Sequence, residues 1–345
     1  MVMRKKLILD WVIENPGCSS KEIFDGINSG VAYSTIKRIL VQLVSEKFIA
    51  TDGQGKARKY YITPFHEVLY PLDVDRYFEK EIDERRIRNG FNFSLIRDVL
   101  SKVQLINQVE SQKLMQLQNQ FLSNISKLSE SAYAREMERL AIDLSWKSSQ
   151  IEGNTYTLLE TERLLKEKET AAGKKKDEAV MLLNHKEAID FILAHKDYLS
   201  PLTIQKIEDI HSLLVKDLGV ERNIRMGRVG ISGTNYKPLD NEYQIREAFG
   251  DMCDLINLRD SIFEKTLLIL VLISYIQPFA DGNERTARIV SNAILIENGY
   301  CPISFRTVDS VAYKKALLIF YEQNNISAFK EIFINQFEFA VKTYF

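Results

Sequence analysis

Cysteine, histidine, proline and long apolar runs are all scarce in this chain, and the shortages exclude whole classes of protein. The three cysteines, Cys18, Cys253 and Cys301, stand far apart with no metal-ligand spacing. That pattern leaves them as reduced thiols in or near a core rather than as a zinc module. After the N-terminus the longest apolar stretch is Thr266 to Ile276, too short to span a bilayer. Met1 to Leu9 starts basic and turns apolar, but Asp10 and Glu14 interrupt it and no small-residue cleavage site follows, so it does not read as a signal peptide. The expectation is a cytoplasmic protein with no membrane partner. An excess of one charge is lacking too: 46 Lys and Arg stand against 47 Asp and Glu. Any basic surface must therefore be local.

What is present divides into parts. A length of 345 residues suits one large domain with a smaller one. In residues 1–64 a helical pattern over Lys6–Ile13 is stopped by Asn15-Pro16-Gly17. Ser19 and Glu22 then form a capping box for a short helix. The turn Asn28-Ser29-Gly30 leads to a third helix over Tyr33–Glu46. Phe48–Thr51 and Lys59–Thr63 read as strands around the loop Asp52–Gly55. Three helices and a β-hairpin resemble a winged helix-turn-helix domain. The resemblance places Ser34, Thr35, Lys37 and Arg38 on the front of a recognition helix, and Lys56, Arg58 and Lys59 on the wing. Ten Lys and Arg against six Asp and Glu over residues 1–64 leave a modest positive excess. Such a face suits duplex DNA phosphates; a protein-binding or packing module is the other reading.

Pro64 and Pro71 mark the exit into a helical connecting region, residues 65–130, and a larger helical domain, residues 131–345. The fold class expected is mainly α. Arg228–Pro238, with Val229 and Ile231 alternating before a Gly-rich turn, reads as a small β-hairpin within it. The run Ala171–Lys176 reads as an exposed loop with solvated lysines.

The chemistry concentrates where an apolar helix over Lys265–Ile276 is cut by Gln277–Asn283 and a new helix opens with Glu284 and Arg285. Unpaired N–H groups and the helix dipole favour an anion at such a start. Arg285 and Arg288 share one helix face and can both reach an anion docked there. Asp281 could carry magnesium, which prefers a carboxylate together with substrate phosphates. Phosphoryl or nucleotidyl transfer is the chemistry these parts suit. On spacing alone, a plain helical turn with Asn283 as cap and two surface arginines accounts for the segment equally well.

The segment resembles the signature of the Fic family, His-Pro-Phe-x-(Asp/Glu)-Gly-Asn-Gly-Arg-x-x-Arg. Two further pieces occur in the family's order. Arg225, Val229, Ile231, Gly233 and Pro238 match its β-hairpin flap, and Ser148 to Asn154 matches its inhibitory pattern, (Ser/Thr)-x-x-x-Glu-(Gly/Asn). The resemblance implies a helical Fic bundle with the flap at Ile231, Ser232, Gly233 and Thr234, and an inhibitory helix near 135–153. It implies that Pro278 and Phe279 anchor the loop and that Asp281 binds the metal. Gly282, Asn283 and the residue at 284 shape the phosphate cradle, and Arg285 and Arg288 hold phosphates. An active member would use ATP and Mg2+ to move AMP onto a hydroxyl of a target protein held at the flap as an added strand; an inactive one would need no cofactor. Ser148, Glu152 and Gly153 would form the inhibitory element, with Glu152 on Arg288. A homodimer is compatible with all of this.

Two departures stand out. Gln277 occupies the position of the family's histidine, the base that takes the proton from the attacking hydroxyl. An amide cannot do this, and the loss costs about two to four orders of magnitude. The histidines of the chain, His66, His185, His195 and His211, lie outside the loop, and His185 and His211 read as packing or surface residues. Glu284 replaces the family's second glycine, bringing negative charge to the phosphate site or pairing with Arg288 one turn later. Three readings follow: a Fic scaffold with reduced or no AMP transfer, tied to DNA; a working transferase with another base or donor; or a structural interaction protein. Gln277 and Glu284 favour the first over the second, and the retained Asp281, Asn283, Arg285 and Arg288 disfavour the third.

Overall fold

A computed structural model describes residues 2–27, 30–88 and 90–345, in two compact units that divide after Leu72. In the first unit, apolar residues at helical spacing set the core. Ile8, Leu9 and Val12 of α1 (Val2–Glu14), Ile23 of α2 (Ser20–Ile27) and Ile36, Ile39, Leu40 and Leu43 of α3 (Tyr33–Ser45) bury together. Helix α2 starts at its capping box: the Ser19 N–H donates to Glu22 Oε2 at 2.6 Å and the Glu22 N–H to Ser19 Oγ at 3.3 Å. Strands β1 (Ile49–Asp52) and β2 (Lys59–Ile62) pair antiparallel, Ile49 opposite Ile62 and Asp52 opposite Lys59. Gly53, at φ +74°, makes the turn between them. The turn residues Asn28 and Ser29 and the Lys56 side chain lie outside the described residues. Pro64 does not end this unit. It opens α4 (Pro64–Leu69), which a proline at a first helical position favours. His66 stacks on Tyr70 at 4.9 Å, and Tyr70 meets Phe48 edge-on at 5.3 Å.

The second unit is a helical bundle. Its helices are α5 (Val74–Phe78), α6 (Gln108–Ile125), α7 (Glu130–Ile151), α8 (Leu158–Glu167), α9 (Lys176–Ala194) and α10 (Ile204–Leu214). They continue with α11 (Glu242–Leu258), α12 (Ile262–Ile276), α13 (Asn283–Glu297), α14 (Ser310–Gln323) and α15 (Ser327–Tyr344). Helix α12 is apolar on nearly every side and so takes the centre, packed against α11, α13, α14 and α15. Helix α13 packs in turn against α7, α9 and α10. Residues 73–130 belong to this unit, and the described residues between 79 and 92 are not helical apart from one short turn at Ile82–Glu84. No helix of the described residues is long and apolar enough to cross a membrane.

The mainly α architecture stands as expected; the β-hairpin at Arg228–Pro238 does not. Among the described residues the only sheet is β1–β2. Side chains do there what a ladder would do elsewhere. The buried Arg225 guanidinium donates to the carbonyls of Gln277 at 2.7 Å, Leu239 at 2.5 Å and Gly227. Tyr236 OH donates to the Tyr275 carbonyl at 3.0 Å. With both ends tied to the core, the segment runs as an extended loop that turns at Gly233, φ +87°. Lys174 likewise is not simply solvated, since it donates to the Thr155 carbonyl at 2.6 Å.

His66 makes the first unit sensitive to acid. Burial lowers its pKa from 6.5 to about 4, with Asp10 opposing. The unfolded chain therefore takes up a proton that the folded unit excludes. Stability is full above about pH 6.5 and falls as pH drops towards 4. With Trp146→Phe leaving Trp11 as the one fluorescent tryptophan, urea melts should show this decline, and His66→Phe should flatten it while keeping the stack on Tyr70.

Candidate active site

Helix α12 ends on Gln277, whose left-handed backbone, φ +51°, turns the chain into the loop. Asn283 holds that loop from inside. Its Oδ1 accepts from the Phe279 N–H at 2.9 Å, and its Nδ2 donates to the Phe279 carbonyl at 2.9 Å and to Gln277 Oε1 at 2.8 Å. Gln277 Nε2 donates to the Ser274 carbonyl at 2.7 Å. The amide of Gln277 is thus folded back into the loop's own hydrogen bonding. Phe279 is fully buried, stacked on the His211 ring at 3.7 Å with only 4° between planes. Gly282, at φ +77°, starts α13 where an added Cβ would lie 3.4 Å from Arg285 Nη2 and Val215, so backbone and space both ask for glycine.

Arg285 and Arg288 point back from α13 into the bundle and are buried, with side chains 1% and 0% exposed. Charges so placed must be paired, and one carboxylate does most of the pairing. Glu152, the residue on which α7 ends, accepts from Arg285 Nε at 2.6 Å and from Arg288 Nη2 at 2.6 Å. Gly153 follows at φ +98° and lets the chain leave. The remaining nitrogens are also taken. Arg285 Nη2 reaches Asp281 at 3.0 Å, and Nη1 the Leu214 carbonyl at 3.4 Å. Arg288 Nε donates to Ser148 Oγ at 2.8 Å and Nη2 to the Ser148 carbonyl at 3.1 Å. Arg288 Nη1 lies 3.4 Å from Glu284 and 3.3 Å from Tyr313 OH. Three carboxylates therefore surround two guanidinium groups. Burial raises the Glu284 carboxyl above the ordinary range, with Arg288 opposing and Glu152 adding to the rise.

The loop, the arginines and the helix that restrains them can be set beside known proteins. The model of the Fic/DOC family matches residues 201–295, the span that holds α10, α11, α12, the signature loop and most of α13. Residues 201–295 are thus similar to a Fic domain. Among curated relatives, the protein adenylyltransferase Fic of Nematostella vectensis is 28% identical over 281 residues, 74% of this chain and 63% of that protein. Adenylyltransferase fic-1 of Caenorhabditis elegans is 26% identical over 44% of this chain and 31% of its own length. The chain thus spans between about a third and just under two thirds of the curated relatives it matches. Of solved structures, Fic-1 of C. elegans aligns with a TM-score of 0.60 at 21% identity, covering 68% of this chain and 72% of that one. A Fic family protein of Desulfovibrio desulfuricans G20 aligns with a TM-score of 0.59 at 20% identity, covering 69% and 74%. These likenesses establish the fold.

The second unit brings together Gln277, Asp281, Gly282, Asn283, Glu284, Arg285, Arg288, Ser148, Glu152 and Gly153. Ile231, Ser232, Gly233 and Thr234 lie on the extended loop described above. Glu152 was expected on Arg288 alone; it bridges both arginines because they leave the same face of α13. Glu284 does reach Arg288 one turn on. No nitrogen of these two guanidinium groups is without a partner, so the residues as arranged do not fit a nucleotide triphosphate. Among the described residues no cluster of three or more His, Cys, Asp or Glu is placed to hold a metal. Asp281 offers one exposed carboxylate, already beside Arg285.

Sequence spacing missed His211, Tyr313 and the clamp role of Arg225, since their contacts cross between helices. His211 sits directly beneath the Fic loop, yet its ring nitrogens lie 2.9 Å from the Arg222 carbonyl and 3.0 Å from the Asp281 carbonyl. It supports the loop from below, and burial lowers its pKa against the pull of those carbonyls. His185 is fully buried; burial, then the charges of Arg288 and Arg285, drive its pKa well down. The His211 nitrogens are committed to two carbonyls, whereas those of His185 have no hydrogen-bond partner in its buried setting.

Glu284 gives the site a second restraint, with a measurable consequence. Glu152→Gly alone should leave Arg288 against Glu284 and should destabilise the protein by about 3 kcal/mol, the scale for removing one partner of a buried pair. Calorimetric titration with ATP and magnesium should show at least about tenfold tighter binding for Glu152→Gly with Glu284→Gly than for Glu152→Gly alone, a gain of about 1.4 kcal/mol. Equal affinities would mean that Glu284 does not oppose the nucleotide.

Proposed function

We propose that this chain is a Fic scaffold, related to protein adenylyltransferases, in which AMP transfer is reduced or lost, and which acts as a regulatory module joined to a DNA-binding unit. One observation carries the first part. The side chain at the base position, Gln277, is an amide committed to Ser274 and Asn283, and the histidine beneath the loop, His211, is held between two carbonyls. The closed arrangement of Glu152 on both arginines supports the same reading. If the site is opened, ATP with magnesium is the ligand the retained Asp281, Asn283, Arg285 and Arg288 suit, and a protein hydroxyl presented at the flap is the acceptor.

The DNA-binding part is supported by three helices and a hairpin that present polar and basic side chains outward. Ser34, Lys37, Arg38 and Arg58 are exposed, and Thr35 is half-buried. Lys37 rests 4.6 Å over the Tyr33 ring, and Lys59 lies 3.4 Å from Glu22. Exposed Lys and Arg on one helix suit phosphate contacts that weaken as salt rises.

Labelling with ATP carrying a tagged α-phosphate tests the first part, using the wild type and Glu152→Gly in lysate beside a competent Fic control. Label absent or far below that of the control is expected from either. Label at the control's level would sink the scaffold reading and make the chain an enzyme with another base. In the Glu152→Gly, Gln277→His, Glu284→Gly variant, transfer should appear or rise by about two to four orders of magnitude. For the DNA part, Lys37→Ala with Arg38→Ala should weaken gel-shift binding to duplexes of unrelated sequence. Unchanged affinity would remove DNA from the account.

A further inference from the structure

Residues 73–92 of the second unit lie outside the span matched by the family model, yet they are bound to the flap. The contact runs through Arg85. Its side chain is 2% exposed and its Nη1 is 3.1 Å from Glu322 Oε1 on α14, where the Glu322 side chain is 0% exposed. Tyr77 OH donates to the other oxygen of Glu322 at 2.5 Å, and the Arg88 N–H donates to the Glu322 carbonyl at 3.1 Å. The rings of Phe78 and Tyr77 lie 5.0 and 5.9 Å from the guanidinium carbon of Arg85, within cation–π range. Held in this way, Arg85 aims Nη2 at the Gly233 carbonyl, 2.7 Å away at the turn of the flap. A second tether lies beside it, Asn235 Nδ2 to Asp83 Oδ1 at 2.9 Å. Further along, Phe91 stacks on Tyr275 at 4.8 Å, and the Asn92 N–H donates to Tyr275 OH at 2.9 Å.

The flap needs such support because it has no ladder. Between Arg228 and Thr234 no backbone–backbone hydrogen bond is formed among the described residues. Val229 and Ile231 are only partly buried, and Ser232 and Gly233 are exposed. A segment without cross-strand bonds keeps a conformation only if something else pins it. Arg225 and Tyr236 pin its two ends, and Arg85 pins its turn. We propose that Arg85 is a positioning residue for the flap: anchored on Glu322, it fixes the Gly233 turn and with it the extended edge that a target segment would join. The role in target docking rests on the flap reading given under Proposed function; the mechanical role does not.

Limited trypsin proteolysis of the intact chain tests the mechanical role without nucleotide or target. Arg85→Met with Glu322→Gln removes both charges, so neither is left buried alone. Cleavage after Arg228 should be at least about tenfold faster in this variant, a loss of about 1.4 kcal/mol of local protection. Cleavage within α12 and α13 should keep its rate. Arg85→Lys, which retains the charge but not the fork, should fall between the two. Unchanged cleavage at the flap would overturn the proposal, and so would a uniform rise across α12 and α13, which marks a general stability role. Should the double variant fail to fold, Asp83→Ala reads the exposed tether: a smaller rise confined to the flap supports the proposal, and none overturns it. If flap cleavage responds while no label transfer is ever seen, the positioning role stands and the enzyme reading falls.

Discussion

Two guanidinium groups without water around them make a demand that much of the domain is arranged to meet. Arg285 and Arg288 leave α13 on its buried face, and at such depth an unpaired charge would cost several kcal/mol. The bundle answers with Glu152, which reaches both from the end of α7, and with Ser148, Glu284, Asp281 and Tyr313. The acceptors come from three places along the chain, so the demand ties α7, α13, α14 and the loop to one another. Where those elements can sit is constrained by whether the two arginines stay paired.

The loop is built to hold shape in the same manner. Asn283 closes it by bonding across to Phe279 and to Gln277, and Gly282 admits a backbone turn that a side chain would strain. Beneath it, the His211 ring stacks on Phe279. A histidine at position 277 could carry a proton in and out of this loop. The glutamine there instead adds one more internal bond. At position 284 the same loop carries a carboxylate set against Arg288.

How much of this could be read from the chain follows from the range of the contacts involved. The capping box at Ser19 and Glu22, the central α12 and the helix-breaking loop after it are local patterns, and the spacing alone located them. The closeness of Arg285 and Arg288 is local too, since residues three apart share a helix face. The pairing of Glu152 with them could not be derived from periodicity; it came from the resemblance of Ser148–Gly153 to a family pattern, and even that assigned only one arginine. Arg85, Arg225, His211 and Tyr313 carry no local signal, because each works through a contact made only after the helices have assembled. The flap failed as a strand for a related reason. Alternation of Val229 and Ile231 reports exposure on two faces, whereas a ladder needs partners that this segment has exchanged for side-chain clamps.

Glu152 is the cap of α7 rather than a residue within it, and Ser148 supplies both a hydroxyl and a carbonyl one turn earlier. A single turn of helix therefore carries every acceptor that α7 offers to the arginines. Fraying of that turn withdraws them as a group, since carbonyl, hydroxyl and carboxylate share one backbone geometry. Release of the cradle is then a cooperative event with a threshold, and graded weakening of one bond leaves the others in register. Helix ends are also where local unfolding begins. Opening a few residues there, not the whole bundle, is thus enough to leave both arginines without the acceptors of α7.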